Sequence, residues 1–186
     1  MDPEGYIKEA KIKMEKAIAA TGHDLAGVRT GRATTNILDK ITVDYYGTPT
    51  LLDQVANISV PESQLLVIQP WDKNIIGDIE KAIQQADLGV NPSNDGQIVR
   101  VPFPPLSEER RREMAKLAKK YGEEGKISIR NIRRDTNEHM KSMEKDHEIS
   151  EDRLDGAKEE VQDITDKFIE EIDTMLAKKE EEIMEV

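Results

Sequence analysis

The chain has 186 residues, of which 35% are charged and 4% aromatic, and 27 Lys and Arg against 38 Asp and Glu give a formal net charge of −11. This length can bury the core of one or two domains, and high charge with few aromatic residues favours long solvated helices over a compact enzyme. No apolar run approaches the roughly twenty residues of a membrane span. The absence of cysteine excludes disulfides, thiolate zinc sites and thiol catalysis. The acidic total argues against nonspecific nucleic-acid binding.

The charge is distributed unevenly along the chain. Residues 1–31 carry five basic and five acidic side chains, residues 32–106 five and nine, residues 107–145 twelve and eight, and residues 146–186 five and sixteen. The corresponding net charges are 0, −4, +4 and −11. One segment is therefore locally basic within an acidic protein, a pattern that the total charge does not show.

Three stretches have the apolar period of an amphipathic helix. Their apolar positions are Ile7, Ala10, Met14, Ala17, Thr21, Leu25 and Val28; then Met114, Leu117, Tyr121, Ile129, Ile132, Thr136, Met140 and Met143; then Leu154, Ala157, Val161, Ile164, Phe168, Ile172, Met175 and Ile183. Ser107 and Ser150 are suitable N-caps for the second and third helices, each followed by acidic residues that favour a first turn. Gly122 and Gly125 each disfavour the second helix by roughly 1 kcal/mol relative to alanine, which predicts a local bend.

The middle of the chain predicts strands. Four segments are rich in β-branched residues, namely 41–46, 55–60, 65–68 and 98–101. They are bounded by turn residues at 47–49, 61–62, 69–70 and 94–96. A short amphipathic helix over 75–86 lies between the third and fourth strands. Together these elements predict a small α+β module.

The first helix is too polar to fold alone, and the other two need a partner for their apolar stripes. We therefore expect a discontinuous three-helix bundle formed by 1–30 and 106–186, with the α+β module of 31–105 inserted into it. The bundle should be elongated, since about forty helical residues span roughly 60 Å. The chain crosses between the domains at 29–32 and 102–105, and these crossings predict a hinge. The hinge residues are Thr30, Gly31, Arg32, Pro102, Phe103, Pro104 and Pro105.

The motifs of catalysis and cofactor binding are missing from the sequence. No glycine-rich phosphate loop follows a strand, and His23, His139 and His147 do not have the spacing of metal ligands. The carboxylates fall on helix faces that are typical of solvated surface. We therefore expect a protein that is not an enzyme and needs neither a cofactor nor a metal.

One group of basic residues on the second helix is a candidate site. At 100° per residue they share a stripe roughly 120° wide, away from the apolar stripe; the group comprises Lys126, Arg130, Arg133, Arg134, Asn137 and Lys141. Arginine guanidinium groups suit phosphate oxygens because each offers a planar fork of donors. Two interpretations stay open from the residues alone: a polyanion site, or a salt-bridged solvated face near Glu123 and Glu144.

Two further basic groups allow less specific interpretations. Arg110, Arg111 and Arg112 are at the start of the second helix, where an antiparallel third helix would bring Glu180 to Glu182 to the same level. Cross-helix ion pairs are the favoured interpretation there. Arg29 and Arg32 flank the first crossing, where they serve either binding or solvation of the hinge.

Several sequence blocks resemble the bacterial-type ribosome recycling factor family. They are Val28-Arg29-Thr30-Gly31-Arg32-Ala33, Val43-Asp44-Tyr45-Tyr46-Gly47-Thr48-Pro49, Asp87-Leu88-Gly89-Val90-Asn91-Pro92, 100–106 with Glu108-Glu109-Arg110-Arg111, Arg130-Asn131-Ile132-Arg133-Arg134-Asp135, and Glu148-Ile149-Ser150-Glu151-Asp152. The blocks occur in order over essentially the whole chain, which makes the resemblance far more specific than any single motif.

The resemblance implies an α+β fold, in which an elongated three-helix bundle with an inserted small β/α/β sandwich-like domain forms an L-shaped molecule similar in outline to tRNA. It implies binding of the bundle to ribosomal RNA of the large subunit, a small domain that swings about the hinge, and splitting of the post-termination ribosome with elongation factor G and its GTP hydrolysis. The family's RNA-contacting arginines match Arg130 and Arg133, and Arg29, by position in their blocks. Arg134 is added because it is adjacent to Arg133 and lies in the same basic stripe of the second helix.

These expectations have two alternatives from other classes. A helical adaptor of the coiled-coil type with no RNA role would leave an apolar stripe exposed, and an enzyme would need a cleft with convergent polar groups, which cannot be assembled from this sequence. For a recycling factor the partners are the ribosome and elongation factor G, with no membrane, and the protein is expected to be a monomer in the cytoplasm. A removed transit peptide would place it in a plastid or the mitochondrial matrix instead.

Overall fold

The computed structural model describes residues 1–185, which form two compact units. The bundle unit consists of Met1–Val28 and Arg112–Glu185, and the α+β unit is Arg29–Arg111. The helices are α1 (Pro3–Ala26), α2 (Ile76–Gln85), α3 (Glu108–Lys145) and α4 (Glu151–Met184). The strands are β1 (Thr42–Tyr45), β2 (Thr48–Leu51), β3 (Ala56–Glu62), β4 (Leu65–Pro70), β5 (Ser93–Asn94) and β6 (Val99–Pro102).

The bundle unit is held together by three successive apolar layers in which α1, α3 and α4 all take part. Their buried residues are Ile7, Met140, Leu154, Ala157 and Val161 at one end, Met14, Ile129 and Ile172 in the middle, and Leu25, Val28, Ala118 and Ile183 at the other end. This order of contacts makes α3 antiparallel to both α1 and α4. The three predicted apolar stripes thus cover one another, which confirms the three-helix bundle.

Side-chain caps begin all three long helices. Asp2 accepts a hydrogen bond from the Gly5 amide (2.8 Å), Ser107 from the Arg110 amide (3.2 Å) and Ser150 from the Arg153 amide (3.1 Å). Each cap satisfies a backbone donor that has no partner within its helix. The two serine caps predicted from the sequence are therefore confirmed.

The helix α3 continues through both of its central glycines, which are buried. A Cβ built on Gly125 would lie 2.3 Å from Thr21 Oγ1, and one on Gly122 would lie 3.0 Å from a methyl group of Leu176. These glycines therefore serve close helix packing, with α1 at Gly125 and with α4 at Gly122.

The α+β unit contains a four-stranded antiparallel sheet in the order β3-β4-β6-β5. Inward side chains of β4 and β6, such as Leu66 and Val101, pack with Ile79 and Ile83 of α2 in one core. The α2 helix is amphipathic, and its apolar face, which includes Ile79 and Ile83, packs against the sheet. The four predicted strands and the predicted short helix are all present within one or two residues of their expected ends.

A second, two-stranded sheet differs from the prediction. The turn residues expected at 47–49 include the start of β2, which pairs with β1 in the register Asp44↔Pro49 and Tyr45↔Thr48. Tyr46 and Gly47 both have positive φ, 50° and 87°, so the turn is only two residues long. The short strand β5 also lies where the sequence indicated the boundary of a turn. No helix within residues 1–185 is both long enough and apolar enough to cross a membrane.

Candidate nucleic-acid interface

The three arginines of the predicted stripe lie at the surface of the bundle unit. Ile129, Thr136 and Met140 are buried within the bundle unit, while Arg130 and Arg134 lie on the outer side of α3 and Arg133 lies at the edge of the buried face. The side chains of Arg130 and Arg134 are 45% and 65% exposed, and Arg133 is half-buried. This surface of α3, formed by Arg130, Arg133 and Arg134, is called the arginine face below.

The guanidinium of Arg133 is held by a side chain of the neighbouring helix. Its Nη1 donates to Oε1 of Gln162 on α4 (3.1 Å), and Nε2 of the same amide donates to Asp166 (2.7 Å). The amide therefore orients Arg133 without neutralising it. Sequence periodicity cannot detect this contact because it joins residues on two different helices.

The rest of the predicted stripe is partly salt-bridged. Lys126, only 19% exposed, pairs with Asp173 of α4, so its charge is used inside the bundle unit. Arg130 pairs with Glu123 (3.3 Å) and Arg134 lies 3.9 Å from Asp135, but both pairs are exposed and screened by water. Asn137 is half-buried and Lys141 is exposed. The salt-bridged interpretation thus holds for Lys126, while the arginine face keeps charges that water screens and an anion can reach.

Arg29 belongs to the α+β unit, where it lies in an unusual environment. Its Nε is buried and has no hydrogen-bond partner among residues 1–185. Burial and the positive charge of Arg110 lower the pKa of Arg29. Its Nη1 lies 3.1 Å from the position that a Cβ on Gly89 would occupy, so the glycine leaves room for the guanidinium.

Some residues of the predicted hinge are held by contacts within the α+β unit. Pro102 ends β6, opposite Leu65, and Phe103 is 3% exposed in the core of the α+β unit. The amides of Ala33 and Phe103 donate to the carbonyl oxygens of Ser63 and Gln64, both at 2.7 Å, so the same hairpin turn holds the two crossings.

The hinge residues nearest the helices are arranged differently. Gly31 has a φ of 81°, which favours glycine, and Thr30 is buried with its hydroxyl accepting from the Arg32 amide (3.4 Å). Pro104 and Pro105 are exposed.

The remaining titratable groups do not form a metal centre. Within residues 1–185, no three His, Asp or Glu side chains are grouped as potential metal ligands. His139 Nδ1 donates to the Asp135 carbonyl oxygen (2.7 Å), and the imidazole ring contacts the Tyr6 ring at a centroid distance of 5.3 Å. The expected pairing of Arg110 to Arg112 with Glu180 to Glu182 stays a prediction.

The fold and this site together define a class: a binding protein in which a three-helix bundle presents arginines and a small α+β unit is inserted into the same chain. Comparison with known proteins identifies the family within that class. A family model described as ribosome recycling factor matches residues 21–184. The chain belongs to the ribosome recycling factor family, whose members are translation factors and not enzymes.

Individual relatives agree with this assignment. Ribosome-recycling factors of Bacillus cytotoxicus and Bacillus cereus are each 58% identical over 180 residues, which covers 97% of this chain and 97% of theirs. A solution structure of a ribosome recycling factor is 43% identical, with a TM-score of 0.81 over 100% of this chain and 99% of that one.

A second solved structure comes from a ribosomal complex. It is described as models for the T. thermophilus ribosome recycling factor and the E. coli elongation factor G bound to the E. coli post-termination complex, and it is 42% identical with a TM-score of 0.71 over the full length of both chains. The family resemblance and the α+β fold class are therefore confirmed, and the coiled-coil adaptor is excluded.

Proposed function

We propose that this protein recycles ribosomes: it binds the post-termination ribosome and, with elongation factor G and GTP, splits it into subunits and frees mRNA and tRNA. Membership of the ribosome recycling factor family supports this function, and the arginine face is the observation that carries its mechanism. The chain would break no covalent bond itself. The free energy would come from GTP hydrolysis by the elongation factor.

The arginine face would hold phosphates of large-subunit ribosomal RNA. Arg133 is suited to this because the neutral amide of Gln162 orients it without cancelling its charge. Arg130 and Arg134 add exposed guanidinium groups, and their exposed carboxylate partners are easily displaced by phosphate. Arg29 would contribute a further contact, as the resemblance of its Arg29-Thr30-Gly31-Arg32 block to the family implies.

The domain division proposed for this function follows the sequence: 1–30 and 106–186 for the RNA-binding bundle, and 31–105 for the inserted domain. Because Ala33 and Phe103 are hydrogen-bonded to one hairpin turn, motion at the hinge would be concentrated at 30–32 and 104–105. The exposed prolines of the second crossing would keep it stiff, so that a force applied to the small domain reaches the bundle.

The site of action follows from the proposed function. A factor that binds bacterial-type ribosomes would work in the cytoplasm, as a monomer, in contact with the ribosome and elongation factor G. This placement rests on the bacterial relatives.

The test is binding of Arg133→Ala to ribosomes, measured by pelleting at several salt concentrations. We expect weaker binding and a salt dependence reduced by about one unit of slope, because one phosphate contact is lost. Lys119→Ala is the matched control, since it removes an exposed positive charge from the same helix outside the arginine face. Binding of Arg133→Ala equal to that of the control would disprove the assignment of the arginine face.

The recycling function itself is tested separately. Purified protein should dissociate post-termination ribosomes only when both elongation factor G and GTP are present. Dissociation without GTP, or none with all components, would overturn the proposed function even if the arginine face bound RNA.

A further inference from the structure

The α+β unit contains a groove that the recycling mechanism above does not use. It has a volume of about 350 Å³ and is lined by Leu38, Asp39, Asp53, Asn57, Ile58 and Trp71, among others. Leu38 is buried and forms part of the apolar core, so the groove has an apolar floor. Asp39 and Asp53 are exposed at its polar side.

Trp71 lines this groove and is the only tryptophan in the chain. Its side chain is 69% exposed, although its backbone is fixed, because its amide donates to the Val55 carbonyl (3.2 Å) at the start of β3. A single exposed apolar side chain is ordinary on a protein surface. Here, however, the indole lines the same groove as the carboxylates of Asp39 and Asp53, so one ligand could contact an aromatic face and a negative charge together.

The charge of the groove selects the ligand. None of the described residues lining it is basic, while Asp39 and Asp53 are both acidic. The surrounding segment, residues 32–106, has nine acidic side chains against five basic ones. Nucleic-acid phosphates would be repelled, whereas a cation would gain both a carboxylate and an aromatic face.

We propose that this groove binds an arginine side chain from a basic segment of a partner protein. A planar guanidinium can stack on the indole of Trp71 and form a forked hydrogen bond with Asp53 or Asp39. The methylene groups of the arginine would cover Ile58 on the apolar side. Lysine fits less well because its ammonium group is compact and lacks a flat face.

The fluorescence of Trp71 gives a direct test in the full-length protein. The probe is the peptide acetyl-Gly-Arg-Gly-Arg-Gly-amide, compared with versions that have lysine or glutamate in place of arginine. We expect a saturable change with the arginine peptide, binding about two- to five-fold weaker with lysine, and no saturable change with glutamate. An equal response to the glutamate peptide, or no response to arginine, would overturn the proposal.

Substitution of the two groove carboxylates tests whether the peptide binds in this groove. Asp39→Asn and Asp53→Asn should each weaken the arginine peptide by about two- to five-fold, as expected for one exposed ion pair. Glu62→Gln is the matched control, since it removes an exposed carboxylate of the same unit outside the groove, and it should bind as the parent does. Unchanged binding by the Asp39→Asn and Asp53→Asn double variant would overturn the proposal.

Two further measurements test whether Trp71 is needed for binding and whether RNA binds better than the peptide. Trp71→Leu, followed by calorimetry, should lose affinity while its circular dichroism stays unchanged, because the exposed indole is outside the core. An oligoadenylate RNA is the competing ligand. If RNA gave the stronger saturable fluorescence change, the groove would be a nucleic-acid site and the proposal would be wrong. None of these measurements involves ribosomes, so they are independent of the recycling function.

Discussion

Arg133 Nη1 and Gln162 Oε1 lie 3.1 Å apart, and this hydrogen bond joins α3 to α4 at the centre of the arginine face. Gln162 also donates to Asp166, so both ends of its amide are engaged. A neutral partner orients the guanidinium while its full charge stays available to an anion. A carboxylate at position 162 would instead compete with phosphate for the same donor.

We therefore expect Gln162→Ala to weaken ribosome binding by about three-fold, which corresponds to the loss of a single orienting hydrogen bond. Gln84→Ala, an exposed glutamine of α2, is the matched control. The decisive measurement is the double variant: with Arg133→Ala already present, removing Gln162 should have no further effect on affinity. Additive losses would mean that Gln162 acts independently of Arg133.

The contact between Gly125 and Thr21 predicts an effect on stability. Thr21 is 4% exposed and its hydroxyl donates to the Ala17 carbonyl (2.9 Å), so the side chain cannot easily move away from a Cβ placed 2.3 Å from it. Gly125→Ala should lower the free energy of unfolding by about 1–3 kcal/mol, as other cases of overpacking do. Urea denaturation measures this change.

A second glycine provides the control for that experiment. Gly77 lies in α2, and a Cβ added there would have no neighbouring atom within 4 Å. Gly77→Ala should therefore raise the free energy of unfolding by about 0.5–1 kcal/mol through helix propensity alone. Thr21→Ala combined with Gly125→Ala should recover part of the loss. If Gly125→Ala were stabilising, close packing would not explain that glycine.

The hydrogen bond from the Tyr46 hydroxyl to the Asp72 carboxylate predicts a pH dependence. The bond and the negative charge of Asp72 raise the pKa of Tyr46, and the same bond lowers the pKa of Asp72. The stability contributed through Tyr46 is present below about pH 10 and is lost as the pH rises through the raised value. The contribution of Asp72 is present above about pH 4 and is lost as the pH falls through the lowered value.

Tyrosinate absorbance measures the first of these shifts. The parent should show a component for Tyr46 whose pKa lies above the ordinary value for tyrosine, and Tyr46→Phe should remove that component. Asp72→Asn should return the pKa of Tyr46 towards its ordinary value. Identical titration of the parent and Asp72→Asn would show that the bond does not persist in solution.

The helices could be predicted from the sequence because their signals are local. Apolar residues at three- and four-residue steps and the serine caps at 107 and 150 determine where each helix lies. The missed strand β2 shows the limit of that approach. The Gly47-Thr48-Pro49 sequence is typical of a loop, yet a two-residue turn at Tyr46 and Gly47 reverses the chain and β2 begins at Thr48. Pro49 is tolerated because a two-stranded sheet has only edge strands.

The candidate site could be predicted only in part for the same reason. The periodicity of α3 locates the arginines on one face, but it cannot identify side chains that α4 brings to them. Asp173 forms an ion pair that engages the charge of Lys126, and Gln162 orients Arg133 through a hydrogen bond. Helix propensity alone predicts a bend at Gly125. The close approach of this glycine to Thr21 of α1 has no local sequence signal, so its role in helix packing could not be predicted.

The second crossing gives the last prediction, which depends on the proposed recycling function. Phe103 is held in the core and by the carbonyl of Gln64, whereas Pro104 and Pro105 are exposed, so an insertion between Phe103 and Pro104 changes the linker without disturbing the α+β core. Two inserted glycines should leave ribosome binding unchanged but slow subunit splitting, because a flexible linker absorbs the motion that a stiff one transmits. Two inserted prolines are the control of equal length, and they should retain more of the splitting rate. Light scattering with elongation factor G and GTP measures splitting, and pelleting measures binding. If the glycine insertion split ribosomes at the parental rate, the stiffness of this crossing would have no part in the mechanism.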